Sequence, residues 1–339
     1  MSAIALDATY GIGNELTGVG VYCRELLYGV ARQHPSDSFQ WLIRPHRFLR
    51  SFKQSCPANA SRRPLFDSLP NRVKLFHGLN QRLPAWRARR TVTTFHDLFV
   101  MTGEYSTLEF RERFTKLARD AASRSDLIIC VSQFTADQVH ELLGVSRDRL
   151  RVVHHGVYRP SPADIQREKI VLHVGAIQKR KNVGRLIEAF AALENEWKLI
   201  LAGSTGYGGA EILEAAKDNP RVTITGYVSN RELDQLYRRA SIFAFPSLDE
   251  GFGIPVLEAM AHGLPVIASQ SSAIPEVCGD AAILIDPENT EQLASALRML
   301  AAEEGLRQQY ANRGLKRAEG FRWQTAVEKT WDIYRELLG

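Results

Sequence analysis

The stretch SLDEGFGIPVLEAM, residues 247–260, places two glutamates, Glu250 and Glu258, among apolar residues and glycines. A strand pattern, FAFPS at 243–247, precedes it, and a helix pattern with a proline in its first turn follows. A buried carboxylate without a partner is costly, so the two glutamates indicate a ligand that offers hydroxyl groups. Glu258 is expected in the first turn of this helix, where the helix dipole favours negative charge. The backbone N–H groups of residues 253–256 beside it could donate hydrogen bonds to an anion.

Strand patterns alternate with helix patterns along the whole chain. Short runs of β-branched or apolar residues are typical of strands, and helical periodicities separate them. The predicted strands are 2–8, 39–44, 73–78, 91–97, 126–132, 169–175, 197–203, 221–226, 241–247, 264–269 and 281–286. The predicted helices are 20–33, 108–123, 133–143, 182–192, 211–217, 229–239, 254–262, 290–302 and 323–338. This alternation predicts two α/β domains, each built on a parallel sheet.

A segment rich in proline and charge, RPSPADIQREK at 159–169, indicates the boundary between the two domains. We therefore expect an N-terminal domain of residues 1–160 and a C-terminal domain of residues 161–320. The final amphipathic helix, at about 321–339, is expected to pack back on the N-terminal domain.

The composition is that of a globular protein, with 339 residues of which 45% are hydrophobic and 24% charged. We find no apolar run of 18 residues and no secretory signal pattern, so we expect neither a transmembrane helix nor export. The four cysteines are scattered, which favours neither a zinc site nor a disulfide framework. A cytoplasmic protein with reduced thiols is the expectation.

Positive charge is concentrated in the first half of the chain. Residues 1–160 carry 23 Lys and Arg against 14 Asp and Glu, whereas residues 161–339 carry 20 against 24. The basic residues lie among aromatic and leucine side chains at 44–53, 61–66 and 83–90. This mixture is typical of a membrane-surface patch, and a solvated surface without a partner remains open. No nucleic-acid-binding motif accompanies it, so we expect no nucleic-acid partner.

Ligands of such sheets bind outside the carboxyl ends of the strands, which directs attention to the loops there. The loop 175–182 carries Lys179, Arg180 and Lys181 ahead of a helix, an arrangement suited to a pyrophosphate. The alternative is an exposed basic turn. Asn182 is expected to cap the helix that follows.

Two further loops are rich in glycine or begin helices. In LAGSTGYGGAEI, residues 201–212, several glycines would let the backbone approach a ligand closely. The segment TITGYVS, residues 223–229, leads into a helix on which Ser229 and Glu232 form a capping-box pattern. Main-chain groups of residues 226–228 could face the edge of a base.

The span from Glu250 to Glu258 resembles the E-x7-E motif of family 4 of the retaining, GT-B fold glycosyltransferases. The resemblance continues in order through TGVGVYCREL (17–26), TFHDLFV (94–100), IICVSQFTADQV (128–139), VVHHGV (152–157), HVGAIQKRKNVGRLIEAF (173–190), ITGYVSNRELDQLYRRASIFAFPSLDEGFGIPVLEAMAHGLPVIAS (224–269) and IPEVCGDAAILIDP (274–287). It implies two Rossmann-like domains that face each other across a cleft, the first binding the acceptor and the second the nucleotide-sugar donor.

The resemblance also implies roles for individual side chains. Glu250 would contact hydroxyls of the donor sugar, and Glu258 would hold the ribose of the nucleotide. Arg180 and Lys181 would neutralise the diphosphate leaving group, and His96 would lie near the donor sugar. We therefore treat His96, Glu250, Arg180 and Lys181 as candidate catalytic residues.

The remaining implied donor contacts lie mostly at glycine turns. They are Gly18, Gly175, Gly203, Tyr227, Val228, Gly251, Phe252, Gly253 and Ile254. Asp97 could orient the ring of His96. Two departures from the family pattern are Ala176, where many relatives have arginine, and His155, where asparagine is common. Arg180 is expected to supply the missing cation.

The implied reaction is transfer of a hexose with retention, either by same-face attack or through a covalent intermediate. No Asp-x-Asp pair is present, so we expect no obligate metal and no cofactor beyond the nucleotide-sugar co-substrate. TFHDL and QKRKN resemble bacterial mannosyltransferases of polysaccharide assembly, which implies GDP-mannose as donor. The implied acceptor is a glycan or lipid-diphosphate-linked glycan of O-antigen or exopolysaccharide synthesis, at the inner face of the cytoplasmic membrane.

Other donors and other classes stay open at this point. GDP-rhamnose, UDP-sugars and dTDP-sugars fit the same motifs, and a nucleotide-sugar epimerase shares the architecture. An NAD-dependent oxidoreductase would need a strand–GxGxxG–helix unit with an acidic residue about 20 positions on, and TYGIGNELTGVGVY (9–22) lacks that fingerprint. A non-catalytic sugar-nucleotide or nucleic-acid binder would bind without turnover.

Overall fold

The computed structural model describes residues 4–67, 73–161 and 165–339. Contacts divide the chain into two compact units. The N-terminal unit comprises Met1–Gly103, Thr107–Gly156 and Arg322–Gly339, and the C-terminal unit comprises Glu104–Ser106 and Val157–Phe321. Each unit is an α/β domain on a parallel sheet, which confirms the predicted class. Residues 162–164 of the predicted boundary segment lie outside the described residues.

The sheet of the N-terminal unit has the strand order β3-β2-β1-β4-β5-β6-β7 among the described residues. The strands are β1 Ile4–Asp7, β2 Phe39–Ile43, β3 Ala60–Pro64, β4 Leu75–Gly78, β5 Arg90–Phe95, β6 Leu127–Cys130 and β7 Leu150–Val152. All neighbouring pairs are parallel, and Leu6 lies opposite both Trp41 and His77. The helices are α1 Gly18–Gln33, α2 Pro45–Phe48, α3 Phe99–Thr102, α4 Leu108–Arg124 and α5 Gln133–Leu143.

The last helix of the chain, α13 Trp323–Leu338, completes the core of the N-terminal unit. It packs against α1, where Gly29 leaves room for Val327. Buried hydrogen bonds also hold it, since the Tyr334 hydroxyl lies 2.6 Å from His77 Nδ1 and His77 Nε2 lies 2.8 Å from Thr94 Oγ1. Contacts between the first, middle and last parts of the chain therefore build this unit.

The sheet of the C-terminal unit has the order β10-β9-β8-β11-β12-β13 among the described residues. The strands are β8 Ile170–Val174, β9 Lys198–Ala202, β10 Val222–Gly226, β11 Ile242–Phe245, β12 Val266–Ser269 and β13 Ala282–Ile285. The helices are α6 Val183–Phe190, α7 Gly209–Ala216, α8 Asn230–Arg239, α9 Ile254–Ala261, α10 Ile274–Cys278, α11 Thr290–Ala302 and α12 Glu304–Ala318. The strand order reverses between β8 and β11.

The described ends of the predicted strands and helices agree with the structure within two residues, but some elements were not predicted. Strand β3 contains two arginines and a proline, a composition tolerated because it is an edge strand that pairs only with β2. Helix α12 buries only Ala311, Gly314 and Ala318, so its sequence lacks a stripe of large apolar residues. Across residues 4–67, 73–161 and 165–339, no helix combines the length and apolarity needed to span a membrane.

The space around two helical glycines, Gly29 in α1 and Gly184 in α6, predicts opposite effects for their substitution by alanine. A Cβ at Gly29 would lie 2.4 Å from Val327 Cγ2, so Gly29→Ala should destabilise the fold by about 1–3 kcal/mol through overpacking. Gly184, in α6, has no atom within 4 Å of its added Cβ, so Gly184→Ala should stabilise by up to about 1 kcal/mol through helix propensity. Thermal unfolding followed by circular dichroism measures both.

A double variant tests whether the contact with Val327 causes the destabilisation expected for Gly29→Ala. Val327→Ala added to Gly29→Ala should recover part of the lost melting temperature, because it removes the methyl group that clashes. An increase in melting temperature for Gly29→Ala alone would contradict this description of the interface between α1 and α13.

Candidate active site

The carboxyl ends of β8 and β11 lie side by side where the strand order of the C-terminal sheet reverses. Strand β9 pairs with one side of β8, and β11 pairs with the other. At such a reversal the connections after the two central strands lead to opposite sides of the sheet, and α/β sheets bind ligands in the crevice between them. Arg180 and Lys181 follow β8 and Glu250 follows β11, so the topology brings these three predicted residues together.

The three side chains form one buried ionic cluster. Arg180 Nη1 lies 3.0 Å from Glu250 Oε2, and Lys181 Nζ is paired with Glu250 Oε1. The side chains of Arg180, Lys181 and Glu250 are only 9%, 11% and 10% exposed. The alternative of an exposed basic turn is therefore wrong for these two cations and applies only to Lys179, which is exposed.

Charge and burial act in opposite directions on Glu250. Burial alone would raise the pKa of its carboxyl group, but the charges of Arg180 and Lys181, with a hydrogen bond from Lys181, lower the pKa to about 2. Glu250 is thus ionised at any physiological pH. Lys181 Nζ also lies 4.9 Å from the centre of the Phe245 ring, at the end of β11.

The loop that carries Glu250 is held by the segment before α10. Ser272 Oγ accepts a hydrogen bond of 2.9 Å from the Glu250 N–H, and the N–H of Ala273 donates to the Glu250 carbonyl at 3.2 Å. Ser271 Oγ donates to the carbonyl of Leu248 at 3.0 Å. The backbone of Glu250 is therefore fixed on both sides, and only its side chain is left to change conformation.

Asn182 stabilises the site in a way that differs from the prediction. It occupies the N-cap position of α6, but its side chain makes no capping hydrogen bond. Its amide instead donates to the carbonyls of Pro246 at 3.1 Å and Pro287 at 2.6 Å, joining the loops after β8, β11 and β13. Asn182 and Ser272 have φ of 56° and 54°, and backbone of this kind clusters at functional sites.

Glu258 lies in the second turn of α9, so its placement in the first turn was wrong. Its Oε2 accepts a hydrogen bond of 2.9 Å from the hydroxyl of Tyr237, whose ring stacks on His262 at 4.8 Å. Burial raises the pKa of Glu258 to about 7, and the hydrogen bond from Tyr237 opposes that rise. The two glutamates of one motif therefore have pKa values displaced in opposite directions.

The glycine turn before α9 leaves backbone donors at the helix start. Gly253 has φ +113° and occupies the N-cap position, and an added Cβ would lie 2.8 Å from Ile274 Cδ1. The Val256 N–H bonds to the carbonyl of Gly253 at 3.0 Å, so it is not available to an anion as predicted. Within the described part of the chain, the N–H groups of Gly253 and Ile254 have no acceptor.

The residues around this turn differ in exposure. Gly251 and Phe252 are buried, and the Phe252 ring packs edge-on against Phe321 at 6.0 Å. Ile254 is partly buried. The turn is thus anchored by packing as well as by its glycines.

Glycine bends join the loops after β8, β9 and β10. The N–H of Gly175 donates to Ala202 and that of Gly203 donates to Gly226, both at 2.9 Å. Gly203 has φ +153°, and a Cβ there would lie 2.0 Å from the carbonyl oxygen of Gly175, so glycine is required.

The loop after β10 leads directly into α8. Tyr227 is 47% exposed and Val228 is partly buried. The capping box predicted for Ser229 and Glu232 is confirmed.

His96 and Gly18 belong to the N-terminal unit, whereas the other predicted site residues belong to the C-terminal unit. His96 follows β5 and its Nε2 donates to the carbonyl of Leu79 at 2.9 Å, which leaves Nδ1 as an acceptor. Its ring packs edge-on against Tyr22 at 4.8 Å. Burial lowers the pKa of His96 to about 4, so the ring is neutral near pH 7. Gly18 begins α1 and is exposed.

Several residues of the site were not predicted from the sequence. Tyr237 and Ser272 contact the two glutamates from distant parts of the chain, and no local pattern marks them. His173 is a polar residue in the apolar strand β8, a signal that could have identified it. It donates Nδ1–H to Ala244 at 3.0 Å, and its buried Nε2 has no partner among the described residues.

Similarity to known proteins covers both units. Residues 158–317 match the family "Glycosyl transferases group 1", and residues 17–158 match "Glycosyltransferase Family 4". Over 284 residues the chain is 31% identical to the O-antigen chain mannosyltransferase B of Escherichia coli, covering 78% of this chain and 74% of that protein.

Solved structures show the same fold. Sucrose-phosphate synthase from Thermosynechococcus elongatus is 21% identical with a TM-score of 0.79, covering 99% of both chains. Anabaena HepE in complex with UDP-glucose is 18% identical with a TM-score of 0.76, covering 99% of this chain and 100% of that one. At these identities the likeness concerns the fold alone, which is that of GT-B glycosyltransferases.

The environment of Glu258 predicts an unusual titration. Its carboxyl group should titrate with a pKa of about 7, and Tyr237→Phe should raise that pKa further, because the hydroxyl stabilises the ionised form. Carbon-13 NMR of protein labelled at the glutamate side-chain carboxyl measures the titration, and Glu258→Gln identifies the resonance. A midpoint near 4.5 in the unsubstituted protein would contradict the raised pKa of this group.

Proposed function

The chain belongs to the glycosyl transferases of group 1, and from that membership we propose that it transfers mannose from GDP-mannose, with retention, to a lipid-linked or polysaccharide acceptor in O-antigen synthesis. The observation that supports this most is the buried cluster of Arg180, Lys181 and Glu250 at the strand-order reversal. Similarity to an O-antigen chain mannosyltransferase favours mannose and this acceptor class. Retention is proposed from the likeness of the span Glu250–Glu258 to the E-x7-E motif.

In this proposal the donor binds to side chains and backbone N–H groups of the C-terminal unit. The diphosphate would lie against Arg180, Lys181 and the N–H groups of Gly253 and Ile254, which suit an anion in charge and direction. Glu258 would accept hydrogen bonds from the ribose hydroxyls. The base would lie by the loop after β10.

Bond cleavage in this proposal depends on the two cations. As the bond from the anomeric carbon to the diphosphate breaks, negative charge grows on the departing oxygen. Arg180 and Lys181 lie in a poorly hydrated site, where they stabilise that charge more strongly than water could. We propose that these two side chains supply the positive charge the leaving group needs, so that no divalent ion is required. Glu250 would contact hydroxyls of the transferred sugar.

The role proposed for His96 rests on its protonation state. It is neutral, and its Nδ1 is an acceptor that could receive a hydrogen bond from a sugar hydroxyl. The hydrogen bond from Nε2 to the Leu79 carbonyl holds the ring in place, and the role of Asp97 in orienting it stays a prediction.

A membrane contact is proposed for the N-terminal unit. Leu49 and Phe52 are 80% and 60% exposed, and Arg50 and Lys53 lie between and beside them in the sequence. Exposed apolar side chains next to cations suit an anionic lipid surface, where a lipid-linked acceptor would be found.

The first test is thermal stabilisation by nucleotides. A ligand that binds only the folded protein raises its melting temperature, so GDP should produce a shift of several degrees that EDTA does not change. UDP, dTDP and NAD are compared in parallel. A shift with UDP or dTDP alone would support the proposed glycosyltransferase activity but require a different donor. HepE, another protein of this fold, was solved in complex with UDP-glucose. A shift abolished by EDTA would contradict the metal-independent proposal.

The second test concerns the leaving group. Lys181→Ala should lower kcat by about 100-fold or more, the scale reported for removing one donor from a charge-stabilising site. Transfer from GDP-mannose is followed by release of GDP, and NMR of the product identifies the anomer. Lys179→Ala is the matched control, because this exposed lysine lies in the same loop. Near-normal turnover in Lys181→Ala would refute the leaving-group role.

A further inference from the structure

Both buried cations of the site are paired with the same carboxylate. Arg180 Nη1 lies 3.0 Å from Glu250 Oε2, and Lys181 Nζ contacts Glu250 Oε1. Arg180 Nη1 also donates to the backbone carbonyl of Asp249. One nitrogen of each cation is thus already engaged by Glu250.

A diphosphate and Glu250 cannot share these donors without cost. Two anions at the same pair of cations lie within a few ångströms of each other, where like charges repel strongly because water is largely excluded. A bound diphosphate would therefore require a second arrangement of the cluster. Either the cations hold Glu250, or they hold a phosphate and Glu250 turns away.

The surroundings of Glu250 limit how it can turn away. Its N–H is held by Ser272 Oγ at 2.9 Å and its carbonyl by the Ala273 N–H at 3.2 Å, so the backbone stays in place. The change is confined to the side chain. An ionised carboxylate that leaves two cations requires new hydrogen-bond donors, and sugar hydroxyls are suitable ones.

We propose that Glu250 is an internal competitor of the diphosphate, which makes the site prefer a sugar nucleotide over the nucleoside diphosphate product. A sugar nucleotide brings an anion for the cations and hydroxyls for the carboxylate. A nucleoside diphosphate brings only the anion and leaves Glu250 without its partners, so product leaves readily. This inference rests on the proposed function, because it assumes a nucleoside diphosphate at Arg180 and Lys181.

The test is the affinity of Glu250→Gln for GDP and for inorganic pyrophosphate, measured by calorimetry. Glutamine keeps the size of the side chain and removes the competing charge, so both ligands should bind about tenfold more tightly than to the unsubstituted protein, while kcat falls. Glu168→Gln is the matched control. It removes the same charge from an exposed ion pair with Arg239 in the same unit and should leave both affinities unchanged.

A second comparison keeps the test valid if Glu250→Gln folds poorly, since breaking a buried ion pair is destabilising. In the single variant Lys181→Met, Arg180 remains to pair with Glu250. The double variant, Lys181→Met with Glu250→Gln, removes one positive and one negative charge from the cluster. The double variant should bind GDP about tenfold more tightly than Lys181→Met does.

The outcomes separate the two proposals. Equal or weaker binding of GDP and pyrophosphate in both Glu250→Gln proteins overturns the competitor role and leaves the proposed function standing. If GDP, UDP and dTDP all fail to bind the unsubstituted protein and the variants, the proposed function is overturned. Tighter binding in both comparisons supports the competitor role.

Discussion

The ion pairing of Glu250 with Arg180 and Lys181 is the interaction around which the C-terminal unit is organised. It joins the loops after β8 and β11, two strands that are neighbours in the sheet but about 70 residues apart in the chain. Asn182 and Ser272 support this junction, and both have positive φ angles, which residues other than glycine seldom adopt. Strained backbone persists only where the surrounding structure holds it in place. Here the two strained residues help to hold three charged side chains in position.

The two glutamates of the stretch 247–260 show how environment divides the roles of identical groups. Glu250 faces two cations and has a pKa of about 2, whereas Glu258 faces one neutral hydroxyl and has a pKa of about 7. The first is therefore a permanent charge, and the second is a group whose charge depends on pH near neutrality. Pairs of carboxyl groups whose pKa values are displaced in opposite directions are a common sign of separate tasks within one site.

The sequence predicted what depends on local pattern and missed what depends on distant contacts. Strand–helix alternation predicted the α/β class, and glycine turns at strand ends indicated the site, because ligands bind at those ends in such sheets. Strand β3 was missed because an edge strand tolerates Arg62, Arg63 and Pro64. The pairing of Glu250 with both cations, and of Glu258 with Tyr237, could not be predicted, since these partners meet only through the sheet topology. The available N–H groups at α9 were likewise overcounted, because a helix begins to use its own donors at Val256.

The order of the segments along the chain constrains when the N-terminal unit can fold. The C-terminal unit is inserted between two parts of the N-terminal unit, whose core includes Trp323, Val327 and Tyr334 from the last helix. Tyr334 reaches His77 across 257 residues of sequence, and His77 in turn reaches Thr94 on β5, the strand that leads to His96. The N-terminal unit therefore cannot bury its core until the C-terminal unit has been synthesised. A fragment ending at residue 156 would expose the apolar face of α1, so the unit that carries His96 depends on the end of the chain for its stability.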